Sequence, residues 1–217
     1  MTNFCKEYII LTKLNLLCHF EERSDVAIHI TIDCFAALAM TRFFYGGLMK
    51  EYVWLFPIIF MFHDMEEIIG FKYFLRQNTA ELQQRFPFIL RRYKNFSTEG
   101  FALAVYEELI LCIAISTLAY FINRNFLWYI WLGAFLGCDL HFFIHLIQVS
   151  IYRRYIPACI TSLICLPVNT LIICKCLLCI ADSAIFTGAF MALGAILVFV
   201  NIFIAQKLMG WFTKRTA

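Results

Sequence analysis

The chain has 217 residues, 62% of them hydrophobic and only 15% charged, with a mean hydropathy of +0.76. Soluble domains run near ~45–50% apolar and ~25% charged, so this composition excludes an ordinary soluble domain and indicates an integral membrane protein, with a length that suits one helical bundle. The net charge of +3 is too small to indicate a nucleic-acid partner.

Met1–Leu48 differs from the rest. It carries Lys6, Glu7, Lys13, Glu21, Glu22, Arg23 and Asp25 and has no apolar run of spanning length. Residues 8–18 are apolar but too short, and no clear small-residue cleavage site follows. The string CHFEERSDVAI, followed by DCFAALAMT, resembles the translation of an interspersed bacterial repeat element. On that reading the working protein starts at Met49, and peptides from upstream of Met49 in the native protein would refute it. The extension 1–48 is given no function, His19 and His29 are incidental, and 49–217 forms a single transmembrane domain.

Five apolar runs follow, approximately Tyr52–Leu75, Gly100–Ile122, Phe126–Ile151, Ile156–Ala181 and Ala184–Trp211. Each exceeds the ~20 residues a helix needs to cross the hydrocarbon core. Backbone groups in lipid must be satisfied within the segment, which makes these runs helices and the fold an all-α bundle of five transmembrane helices. Pro57 is tolerable near the start of the first, and Pro167 is expected to kink the fourth. Between the first two runs, Lys72–Glu99 carries six basic residues. Its stretch NTAELQQRFPFILRRYKNF reads as a surface amphipathic helix ending before Pro87.

Basic residues are rich in that first connection, sparse at Asn123–Asn125, present as Arg153 and Arg154 in the third, absent around Asp182–Ser183, and present as Lys207, Lys214 and Arg215 in the tail. The alternation places the first and third connections and the C-terminus in the cytoplasm, and the working N-terminus outside. Trp54, Trp128, Trp131 and Trp211 fall near span ends, as interfacial aromatics do.

Ionisable side chains interrupt three of the runs: His63, Glu66 and Glu67 in the first, Glu107 and Glu108 in the second, His141 and His145 in the third. Such groups are costly in hydrocarbon and persist where they pair, bind an ion or line a wet cavity. Counted from the cytoplasmic ends at ~1.5 Å per residue, all three sets lie roughly 10–18 Å inside the membrane. His63, Glu66 and Glu67 share one helical stripe, and His141, His145 and Gln148 share another. Glu107 and Glu108 are about 100° apart, so one of them points into the site. Asp64 and Asp139 fall off these stripes. Asn201 has a comparable depth and is a candidate partner of the cluster.

Imidazoles with carboxylates make a ligand set for Zn²⁺ or non-haem Fe²⁺. The expected metal ligands are His63, Glu67, Glu107, His141 and His145, with Glu66 or Glu108 as the free carboxylate that acts as general base. A proton or ion pathway, and structural polar packing that sets helix register, are the other readings. The ten cysteines lie mostly in apolar runs and read as small hydrophobes. Cys176 and Cys179 have CxxC spacing without the βαβ context or second pair of a redox or metal motif. No glycine-rich phosphate loop, dinucleotide fingerprint or nucleophile elbow is present, which argues against nucleotide dependence.

The FHDMEE string, the AVYEEL string around Glu107 and Glu108, HFFIHL ending at His145–Leu146, and RRYIPACIT with Arg154, Tyr155 and Pro157 together resemble the HXXEE-domain family of bacterial integral membrane proteins. The resemblance covers about Met49 to Gly210. Ala158 stands where that family often carries glycine, and His141 where it often carries asparagine. The resemblance implies a multi-pass protein of the bacterial inner membrane whose activity is not established. The residues themselves favour a metal-dependent, hydrolase-like enzyme acting on a membrane lipid or lipid-linked substrate. The alternatives are a small proton- or ion-coupled transporter, or a structural component of a membrane complex. The flanking Arg91, Arg92, Lys94, Arg153 and Arg154 set orientation or hold anionic headgroups. Substrate and oligomeric state are not legible.

Overall fold

The computed structural model describes residues 47–93 and 96–216. The extension 1–48, except for its last two residues, lies outside them, and with it the repeat-like string, His19 and His29. After a helical stretch at 47–52 the described chain runs through α1 (Leu55–Gln77), α2 (Thr79–Arg85), α3 (Pro87–Arg92), α4 (Thr98–Ile122), α5 (Asn125–Tyr152), α6 (Cys159–Leu178) and α7 (Ala184–Thr216). The regular structure of the described residues is all helical, as the need to satisfy backbone groups internally requires.

Four helices, α4 to α7, are long and apolar enough to cross a membrane. The sequence runs suggested five. The difference is α1, which has the length, at 23 residues, but carries His63, Asp64, Glu66, Glu67, Lys72 and Arg76, and so loses mean hydropathy. Its outer side is nevertheless apolar: Ile58, Phe62, Met65, Ile69 and Tyr73 are all exposed, spaced three or four residues apart.

The helices are joined at matching ends. The Ser116 hydroxyl in α4 donates to the carbonyl of Val53, just before α1. Asn125 and Tyr129 at the start of α5 both donate to Asp182, ahead of α7. At the opposite end Ser97 meets Thr213, Arg92 donates to Gln206, and Arg154 pairs with Glu81. Successive long helices therefore run antiparallel, and α5, packed on α4, α6 and α7, is central.

α5 and α7 meet backbone to backbone. A Cβ on Gly133 would lie 1.9 Å from the Met191 carbonyl oxygen, and one on Gly194 2.0 Å from that of Ile130. Gly133 and Gly137 form a GxxxG spacing along α5, the arrangement that lets membrane helices approach closely. Around this contact one end of the bundle is filled by Val53, Phe56, Ile115, Trp128, Trp131, Leu132 and Phe135, all buried. Trp128 and Trp131 thus belong to the core rather than to an interfacial belt, while Trp54 and Trp211 are exposed. Cys112, Cys138, Cys165 and Cys176 are buried and Cys174 is exposed, which fits the packing reading.

The surface segment carries a short helix that ends before Pro87: α2 stops at Arg85, and a second short helix restarts with Pro87 at its first turn, where its missing N–H costs nothing. One local expectation needs correction. The fourth run begins its helix at Cys159 instead of Ile156, because Ala158 takes a left-handed conformation (φ 80°) ahead of it. The helix continues past Pro167.

Candidate functional site

The site is built on the middle of α1. At about 100° per residue, Glu66, His63, Glu67 and Asp64 follow one another around an arc of about 160°. Glu66 and Asp64 therefore sit at opposite edges and meet different neighbours. His63 is fully buried and Asp64 is 3% exposed.

On one edge, Glu66 closes the start of α6. Its carboxylate accepts from the Tyr155 hydroxyl at 2.6 Å, from the backbone N–H of Ile160 at 3.3 Å and of Thr161 at 2.8 Å, and from the Thr161 hydroxyl at 2.7 Å. An acid at the unsatisfied amides of a helix N-terminus is stabilised there. Tyr155, in the connection between α5 and α6, has its hydroxyl pushed above the ordinary tyrosine range by burial and by the carboxylate it serves. Gly70, one turn along α1, leaves room for Pro157: a Cβ there would come within 3.0 Å of the proline ring. The expectation of a free carboxylate at Glu66 is thus corrected, since four donors already occupy its two oxygens.

The Thr161 hydroxyl also lies 3.2 Å from Nδ1 of His63. Its proton goes to Glu66 across the shorter bond, so its oxygen accepts from Nδ1–H. That fixes the tautomer of His63 with a bare Nε2. This Nε2 is buried and has no hydrogen-bond partner, and its nearest acid is Asp64, at 3.9 Å to Oδ1.

The α5 imidazoles face it. Nε2 of His145 lies 2.9 Å from Nε2 of His141 and 3.4 Å from Oε1 of Glu67. The His63 ring centroid is 5.4 Å from that of His141 and 5.1 Å from that of His145. One donor atom each from His63, His141 and His145 lie within 4.8 Å of one another, and so do one each from Asp64, Glu67 and His141. Asp64, expected to point elsewhere, is therefore a member of the cluster.

A cavity of about 540 Å³ opens beside it, lined by Asp64, Glu67, Glu108, His141 and His145 among apolar walls that include Phe56, Phe60, Phe71 and Leu111. Its size is that of small-molecule sites, ~300–1,000 Å³. Glu108 is the member of its pair that faces the cavity. Glu107 instead accepts from Asn201 Nδ2 of α7 at 3.0 Å and joins neither donor group. Its expected role as a ligand is not what the geometry provides, and Asn201 serves as its partner. Arg92, Gln148 and Gln206 also line the cavity.

The donor set fits a borderline divalent metal. Imidazole nitrogen and carboxylate oxygen suit Zn²⁺ and Fe²⁺ alike, and the unpartnered Nε2 of His63 presents a lone pair to the group. Sequence reasoning missed Asp64 and Thr161. Asp64 had a usable signal, an acid next to His63 inside an apolar run. Thr161 had none, because a threonine in an apolar helix is ordinary.

The profile of the family described as "Protein of unknown function with HXXEE motif" matches residues 54–172, which is 119 of the 217 residues. No curated protein and no solved structure matches the chain. The matched region contains every cluster residue named above except Asn201, and the chain belongs to this family.

Proposed function

We propose that this HXXEE protein is a metal-dependent membrane enzyme, hydrolase-like in mechanism, acting on a lipid or lipid-linked substrate. The observation that carries the reading is the convergence of His63, His141 and His145, two of them with a buried unpartnered nitrogen, beside a cavity whose walls are apolar and whose polar lining includes Asp64, Glu67 and Glu108. A divalent ion held there supplies a Lewis acid and brings the pKa of a bound water toward ~7. The chain's own residues do the rest. Glu108, facing the cavity and joined to neither donor group, is the carboxylate available to take up a proton. Glu66 acts as a positioning residue through Thr161. The apolar walls receive the hydrocarbon part of the substrate and keep water scarce around the reacting bond.

The same reading takes α1 as a fifth crossing. Its exposed apolar stripe supports this, because that stripe has no protein partner among the described residues. The basic connections then lie in the cytoplasm, with the C-terminus, in a bacterial inner membrane. A transporter needs a water path through the other half of the bundle, and that half is filled by Trp131, Leu132, Phe135 and Phe56, each at most 1% exposed. This favours the enzyme.

Elemental analysis of the purified protein beside His63→Ala and Glu67→Gln tests the proposal. Near-stoichiometric metal in the wild type and its loss in both variants is expected. A wild type free of metal after purification without chelators overturns it.

A further inference from the structure

The two donor groups are adjacent and differently exposed. His63, His141 and His145 form the inner group: His63 is fully buried and does not line the cavity. Asp64, Glu67 and His141 form the outer group, and all three line it. His141 stands at the junction. Glu67 spans the groups, since it belongs to the outer one and its Oε1 is 3.4 Å from Nε2 of His145 in the inner one. Asp64 also comes near the inner group, with Oδ1 3.9 Å from the unpartnered Nε2 of His63.

Charge makes a second demand. Asp64, Glu67 and Glu108 place three carboxylates around one apolar-walled cavity. Among the described residues no lysine or arginine forms an ion pair with any of them. Unpaired acids in such surroundings are expensive. One divalent ion against three carboxylates and three neutral imidazoles leaves a net negative charge in the membrane. Two divalent ions exceed the carboxylates by one unit, which a single anion from solvent closes. The five side chains of the two donor groups also exceed the three or four that one zinc-like ion takes from protein.

We propose that the cluster holds two divalent ions: an inner one on His63, His141 and His145, and an outer one on Asp64 and Glu67 at the cavity wall, with His141 at the junction and Glu67 between them. Two-metal sites hold their ions ~3.5–4 Å apart, a separation one carboxylate can bridge. The outer ion is the one a substrate in the cavity would meet. The inference rests on the metal-site reading above but fails separately from it.

The test is titration of the full-length protein in nanodiscs with Mn²⁺ alone, following stoichiometry by elemental analysis and the ion environment by electron paramagnetic resonance. Two equivalents per chain with an exchange-coupled signal are expected. Asp64→Asn is expected to keep one equivalent and to lose the coupling. A single equivalent in the wild type, or two without coupling, overturns the second ion and leaves the metal site standing. No bound Mn²⁺ together with no native metal overturns both. The wild-type titration decides the matter even where Asp64→Asn fails to fold.

Discussion

The Thr161 hydroxyl, two residues into α6, lies 3.2 Å from Nδ1 of His63 in the middle of α1. Across the same oxygen, Thr161 is 2.7 Å from Glu66. The acid holds the hydroxyl, the hydroxyl holds the imidazole, and the imidazole turns its other nitrogen toward His141 and His145. Partners of this kind are worth about 10–100-fold in metal affinity. Thr161→Val should therefore weaken metal binding by about that factor without removing a ligand. Thr161→Ser, which keeps the oxygen, should restore it. Competition with a metallochromic chelator measures both. Equal affinity in wild type and Thr161→Val would show that His63 does not depend on this contact.

The approach of α5 to α7 gives a prediction about stability alone. A Cβ on Gly133 would meet the backbone of Met191 at 1.9 Å, and backbone cannot swing aside as a side-chain tip can. Gly133→Ala should separate the helices and lower stability by about 1–3 kcal/mol or more, the range for overpacking. Gly188→Ala and Gly210→Ala, with nothing within 4 Å of the added carbon, should be neutral or raise stability by up to ~1 kcal/mol through helix propensity. Thermal unfolding in one detergent, run on all three, separates a tight contact from a general intolerance of substitution.

The parts of this arrangement that the sequence announced are those with a strong energetic signature. Four of the five apolar runs coincide with helices of spanning length, because a long uncharged stretch has few other fates. His63, Glu67, His141 and His145 were legible because an ionisable group in such a run demands a reason. What remained hidden depends on which helix stands on which side of α1. Asp64 and Glu66 flank the same arc, and only the placement of α6 beside Glu66 makes one an end-cap and the other a cavity wall. Glu107 and Glu108 are likewise indistinguishable until α7 supplies Asn201 to the first. Trp128 and Trp131 were misread for the same reason: tryptophan near a span end suits an interface or a core, and the neighbours decide.

The connection that brings α2 onto the end of α5 carries a charge-dependent contact. Glu81 accepts from Arg85 at 2.7 Å and pairs with Arg154 at 3.0 Å. The Arg85 hydrogen bond foremost, and then the Arg154 charge, hold its carboxyl below the ordinary glutamate range. A carboxyl lowered in the folded state contributes stability above its unfolded pKa of about 4.3 and loses it as pH falls through the lower folded value. Because the group is only half-buried and open to solvent, the effect is small and screened by salt. Site-specific titration of Glu81 should give a midpoint below that of a free glutamate. Arg85→Ala should raise the midpoint more than Arg154→Ala does. An unshifted midpoint in the wild type would mean the pair does not form in solution.

Ala158 supplies the last test, and it joins the backbone to the site. Its φ of 80° lies in the left-handed region, and its side chain is fully buried just ahead of α6. For an L-residue that conformation costs roughly 1–2 kcal/mol, a cost glycine does not bear, although glycine loses about 0.5–1 kcal/mol of extra chain entropy on folding. Ala158→Gly should then stabilise the protein by about 0.5–1 kcal/mol, the difference between the two. The strain persists because the neighbours fix the turn: Pro157 packs on Gly70, and the amides of Ile160 and Thr161 are held by Glu66. Gly70→Ala should act in the opposite sense by pressing a methyl group against the proline at 3.0 Å. If the turn transmits position to His63 through Thr161, Gly70→Ala should lower metal affinity as well as melting temperature, whereas Ala158→Gly should raise the melting temperature and leave affinity unchanged. A drop in stability for Ala158→Gly would mean that the left-handed turn is not the conformation the folded protein adopts.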